Sequence, residues 1–121
     1  MSIKKISITQ KLSLISDFWN PRIAGELNGQ YIKLVKFLGE YIWHKHVEED
    51  EMFLVVRGKF TMELRDQTIE LNEGEFLIIP KNTEHKPIAQ SEVHVLVFEP
   101  IATVNTGDQI NERTKHILDW I

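Results

Sequence analysis

The sequence predicts an all-β fold, a sandwich or barrel of short antiparallel strands, on three observations. Apolar and polar residues alternate with a period of two through the middle of the chain. Gly, Asn and Pro punctuate the alternating runs. Helical spacing of apolar residues is confined to the two ends.

The first element is "TQKLSLISDFW", where Leu12, Ile15 and Trp19 fall at helical spacing, Thr9 is a candidate N-cap and Pro21 ends the segment. "RIAGEL" and "QYIKLVKFL" then flank Asn28-Gly29, the strongest short hairpin signal. In the second of these strands Tyr31, Lys33, Val35 and Phe37 share one face, and Ile32, Leu34 and Lys36 the other. "YIWHKH" is read as the next extended piece. "EMFLVV" is a short apolar run closed by Arg57-Gly58. "KFTMEL" alternates Phe60, Met62 and Leu64 against Thr61, Glu63 and Arg65. "QTIEL" and "EFLIIP" are joined by the turn Asn72-Glu73-Gly74, and "VHVLVFEP" closes the series. At the C-terminus Ile110, Thr114, Ile117, Leu118 and Ile121 form a helical stripe with Asp108 as its N-cap.

A chain of 121 residues has the length of one domain. The expected organisation is a barrel core over about 23–100, with segments 1–22 and 101–121 packing on it. The chain has no cysteine, so any metal must be held by imidazole and carboxylate. Its net charge is −4, and its basic residues are scattered apart from Lys4-Lys5, which argues against a nucleic-acid partner. No apolar run approaches the ~20 residues of a membrane span. "MSIKKISITQ" lacks the features of a signal peptide, so a cytoplasmic location is expected.

The chemistry concentrates in "HKHVEEDE", residues 44–51. On a strand, His44 and His46 would point to one face with Cβ atoms roughly 6 to 7 Å apart, close enough to converge on one ion. Glu51 opens the next strand after the turn Val47–Asp50, and a tight reversal would return it to the histidines. His85 follows "EFLIIP" and the turn "KNTE", at another strand–turn junction. The alternative is a solvated acidic turn beside two surface histidines. Glu49 is a fallback ligand if the turn runs differently.

The spacing of these residues resembles the two motifs of the cupin superfamily. Gly39, His44, His46, Glu51 and Gly58 stand for the first, and Gly74, Pro80 and His85 for the second. Four residues separate Gly39 from His44, where the motif has about five; Asn82 replaces the middle Gly of the second motif, and Ala89 its final Asn. Asn tolerates the positive φ such a turn requires. "YIKLVKFLGEYIWHKH", "FEP" and "NTGD" resemble the compact single-domain, phosphomannose-isomerase-like members.

The resemblance implies a small double-stranded β-helix, or jelly-roll, barrel with short terminal helical segments. It implies one divalent ion on His44, His46, Glu51 and His85, with Fe, Mn, Co, Ni, Cu and Zn all compatible with that ligand set. It implies a metalloenzyme, such as a dioxygenase or isomerase, acting on a small polar metabolite. A non-catalytic metal- or ligand-binding module is the alternative. Ile42, Phe53 and Val55 are expected to share the ligands' face and make a dry pocket. Lys33 or His94 would add the polar group that orients a ligand, each with a solvated or packing role as the alternative. No general base with a partner is evident. A homodimer is expected, with Trp19, Tyr41, Trp43 and Trp120 at its interface or covering the barrel.

Overall fold

The computed structural model describes residues 2–121. A one-turn helix α1 (Ile8–Leu12) precedes β1 (Arg22–Leu27), β2 (Gln30–Glu40), β3 (Glu51–Arg57), β4 (Phe60–Leu64), β5 (Thr68–Leu71), β6 (Phe76–Ile79) and β7 (His85–Pro100). The seven strands are antiparallel throughout and belong to one sheet, rolled into a small barrel.

Long strand β7 organises the sheet. Its C-terminal half lies between β2 and β3, in register Lys33↔Val97 and Phe53↔Val97. Its N-terminal half pairs with β4, in register Leu64↔His85. The β1–β2 hairpin turns on Asn28-Gly29, both at positive φ (50° and 77°), as two-residue loops of that composition do.

Alternation sorts side chains to two faces. Val35 and Phe37 of β2, Phe53 and Val55 of β3, Phe60 and Met62 of β4, and Val93, Val95 and Val97 of β7 meet inside the barrel. Leu34, from the opposite face of β2, packs outside it with Ala24, Leu12 and Ile15. The N-terminal segment therefore covers part of the outer sheet face.

Four expectations are corrected. The N-terminal helix is shorter than its spacing suggested: Ser7, not Thr9, caps it by accepting the Gln10 N–H at 3.2 Å. Ser13 Oγ donates to the Gln10 carbonyl, the helix ends at Leu12, and Trp19 sits beyond it at φ 60°. "YIWHKH" forms no strand; its pairing is a single bridge, His44↔His85. The last strand opens at His85, eight residues earlier than "VHVLVFEP" indicated.

The C-terminal helix does not form. Asn, Thr and Asp side chains take the backbone groups a helix would use. Asp108 accepts the Lys45 N–H at 3.0 Å instead of capping. Thr114 Oγ1 accepts the Asn111 N–H and Asn105 Oδ1 the Lys115 N–H. Ile110 and Ile117 remain exposed, so the stripe has nothing to pack on.

Candidate metal centre

Two backbone hydrogen bonds clamp His44 against His85: His44 N–H donates to the His85 carbonyl at 3.1 Å, and His85 N–H to the His44 carbonyl at 2.9 Å. This bridge does for the histidines what a full strand was expected to do. A third tie holds the turn after β6, where Asn82 N–H donates to the His46 carbonyl at 2.7 Å. Asn82 has φ 63°, the conformation for which Asn replaces Gly at little cost. Glu51 comes in from the start of β3, next to Ile79 of β6.

The result is a buried group in which one donor atom from each of His44, His46, Glu51 and His85 lies within 4.8 Å of the others. The tautomers of two imidazoles follow from their contacts. His44 Nδ1 is 2.9 Å from the Ile42 carbonyl and His85 Nδ1 is 2.9 Å from the Thr83 carbonyl. A carbonyl only accepts, so both Nδ1 atoms carry the proton and both Nε2 atoms carry a lone pair.

His46 Nε2 and His85 Nε2 stand 3.1 and 3.3 Å from Glu51 Oε1. These approaches are not directed as hydrogen bonds: Glu51 Oε1 and both Nε2 atoms are buried without a hydrogen-bond partner among the described residues. Burying such groups unsatisfied is costly. A divalent cation would satisfy them together, so the residues fit a metal.

The charge states of His44 and Glu51 suit it, and that of His46 opposes it, since His46 must give up its proton to bind an ion. Burial, then the neighbouring His85, push His44 down to about 4, leaving it neutral at pH 7. Burial works against protonation of His46 also, but the adjoining Glu51 outweighs it and raises His46. Burial would lift Glu51, yet its contacts with Glu99, His46 and His85 hold it well below the usual carboxylate range.

A cavity of about 40 Å³ adjoins the group. His44 and Glu51 line it, with Glu99 and Asn105 as the other polar members and Trp19, Phe37, Tyr41 and Phe53 among its apolar walls. Trp19 stacks on Phe37 (4.4 Å) and Tyr41 (4.8 Å), and its Nε1–H donates to the Leu38 carbonyl. The aromatic side chains expected at an interface or over the barrel thus divide. Trp19 and Tyr41 wall the cavity, Trp43 carries the Arg65 guanidinium at 3.7 Å, and Trp120 meets Tyr31 edge-on.

Of the expected pocket residues, Phe53 lines the cavity. Val55 points inward but belongs to the core beyond it. Ile42 contributes a carbonyl rather than a wall. Lys33 is 1% exposed and donates from Nζ to Glu99 Oε1 at 2.6 Å, so it serves the cavity through Glu99. His94 lies away from the cavity, in keeping with the packing role given as its alternative: it lines a separate hollow with Lys36, Arg57 and Glu73, and contacts Glu92 at 2.6 Å. Glu49 lies outside the four-residue group.

Glu99 is the polar wall that sequence reasoning missed. Burial and the Glu51 carboxylate push it well above the ordinary range, against the pull of Lys33. The signal was available: Val93, Val95, Val97 and Glu99 share one face of β7, so an acid falls on an otherwise apolar stripe.

The sequence pattern of the cupin domain matches residues 38–99, which carry all four clustered side chains and most of the strands. The chain is a cupin. A cupin-2 domain containing protein from Shewanella frigidimarina is 43% identical to it, with a TM-score of 0.78 over 78% of this chain and 93% of that one. Protein NMB1881 from Neisseria meningitidis is 30% identical, with a TM-score of 0.75 over 80% of this cupin and 99% of that chain. The Bacillus subtilis protein YdbB is 39% identical over 62 residues, 50% of this cupin. The match covers 55% of YdbB, so the cupin spans about half the length of that curated relative. Among the described residues no helix is long and apolar enough to cross a membrane.

Proposed function

We propose that this cupin is a metalloenzyme of the dioxygenase or isomerase kind, with His44, His46, Glu51 and His85 as ligands of one divalent ion and a small polar metabolite as substrate. The observation that carries it is the convergence of four buried side chains, three of which, His46, Glu51 and His85, bring an atom to the group that has no hydrogen-bond partner among the described residues. Three neutral imidazoles and one carboxylate suit Fe, Mn, Co, Ni, Cu or Zn. Bound there, such an ion supplies Lewis acidity or a site for activating water or O₂.

The chain's own residues define the rest. The Ile42 and Thr83 carbonyls orient His44 and His85 through Nδ1. Trp19, Phe37 and Phe53 give the cavity apolar walls. Glu99 Oε2, with no hydrogen-bond partner among the described residues, is the wall atom at which a proton can be held. The small size of the cavity favours a second reading, a module that holds a metal and a small ligand without turnover.

The test is metal content by mass spectrometry on tag-free protein, beside a His44→Ala/His46→Ala double variant. Near-stoichiometric metal in the wild type, lost in the variant, is expected. Little metal in both after reconstitution would remove the metal-dependent function. With metal present, turnover of a substrate panel selects the enzyme, and tight binding without turnover selects the module.

The same reading includes a cytoplasmic homodimer without a nucleic-acid partner. Phe76 and Ile78 of β6 are exposed (60% and 56%). They stand in register with Leu54 and Met52 of β3, which in turn face Leu96 and Phe98 of β7. These six side chains make a continuous apolar stripe that a second copy would cover.

A further inference from the structure

The C-terminal segment lies against the cavity and carries a cation with no counter-charge. Tyr41 Oη donates to the Asn105 carbonyl at 3.3 Å, and Asn105 Nδ2 donates to Tyr41 Oη at 3.2 Å and to the Arg113 carbonyl at 2.8 Å. Arg113 N–H donates to Asn111 Oδ1 at 2.8 Å. The Arg113 backbone is therefore tethered to two residues of the cavity wall, directly to Asn105 and through it to Tyr41.

Its guanidinium is placed accordingly. The guanidinium carbon lies 5.4 Å from the Tyr41 ring centroid and 5.8 Å from that of Trp19. Among the described residues no side chain or carbonyl accepts from it, and no carboxylate pairs with it.

Arg65 shows what a structural arginine looks like in the same chain: its guanidinium lies 3.7 Å over Trp43 and also pairs with Glu84 at 3.2 Å. Arg113 makes looser ring contacts and leaves its donor fork free, the arrangement that receives a carboxylate bidentately.

The charges inside the cavity agree. Lys33 offsets Glu99, and a divalent ion on the four ligands would more than offset Glu51. With metal bound, the cavity is left with no uncompensated anion and a free guanidinium beside its aromatic walls.

We infer that Arg113 is the anion-recognising residue of this cavity, and that its ligand is a small organic acid whose carboxylate meets Arg113 and whose apolar body lies among Trp19, Phe37 and Phe53. The inference rests on the metal centre proposed above, since without the ion Glu51 would repel the acid.

The experiment uses Zn²⁺-loaded protein and two isosteric probes, butyrate and butyramide, titrated into wild type, Arg113→Gln and Arg113→Lys. Zn²⁺ uptake is titrated separately in all three. Expected are equal Zn²⁺ uptake, a wild-type preference for butyrate over butyramide, and a loss of about tenfold or more in butyrate affinity in Arg113→Gln, with that preference gone. Arg113→Lys should fall between, keeping the charge but not the fork. Butyrate affinity unchanged in Arg113→Gln, no preference in the wild type, or no binding of either probe would each overturn the inference while leaving the metal centre standing. No Zn²⁺ uptake in any of the three would overturn the metal centre, and the inference with it.

Discussion

Lys33 and Glu99 show how much a single inward charge can constrain. Each sits on the apolar face of its strand, nearly inaccessible, and each is tolerable because of the other. Lys33→Met is expected to destabilise the fold by about 1–3 kcal/mol, because it leaves the buried Glu99 carboxyl beside Glu51 without its hydrogen-bond donor. Lys33→Met combined with Glu99→Leu should recover most of that, as paired apolar replacements of buried ion pairs do. Urea unfolding midpoints measure both.

His44 supplies a prediction on acid sensitivity. Its folded value of about 4 lies below its ordinary 6.5, so between these pH values the unfolded chain binds the extra proton. Stability of the metal-free protein should therefore fall as pH drops through this window, by about 3 kcal/mol from this group. His46 is raised and acts in the opposite sense, favouring the fold at low pH. Comparing wild type with His44→Gln by urea unfolding at pH values from about 6.5 to 4 isolates the His44 contribution; equal acid slopes would count against it.

At the scale of elements, the C-terminal segment is held by side chains and close backbone approach rather than by regular structure. Gly107 has φ 57°, and a Cβ there would lie 2.2 Å from the Lys45 carbonyl oxygen. Gly107→Ala is therefore expected to cost about 2 kcal/mol or more and to loosen this segment. Faster amide exchange at Asp108, whose N–H donates to that carbonyl at 3.0 Å, would report it.

The hairpin at Asn28-Gly29, the apolar run of β3 and the alternation of β4 were legible because local turn chemistry, apolar composition and period-two patterning specify them. Residues 101–121 were not, because their apolar spacing imitates a helix while their Asn, Thr and Asp side chains compete for its backbone bonds. The histidine segment was misread as a strand for a related reason: pairing with β7 at one bridge suffices to place it.

For the whole molecule, the outer apolar stripe makes assembly testable. The proposed homodimer should give a dimer mass by light scattering at micromolar concentration. Phe76→Glu combined with Ile78→Glu should give a monomer with an unchanged circular dichroism spectrum, since both side chains are exposed in the protomer. A wild-type monomer would end the proposal.

Residue order alone determined the all-β class, the main strands and the four residues that cluster, because these depend on local periodicity, turn chemistry and the spacing of a recognisable motif. The tertiary structure decided what surrounds them. It drew Lys33 behind Glu99, turned His94 outward, carried Asn105 to the cavity wall and set the Arg113 guanidinium beside the Tyr41 ring. Those outcomes depend on strand register and on contacts between residues far apart in the chain, such as Lys33 with Glu99 and Tyr41 with Asn105. Local pattern carries no information about either until the sheet closes.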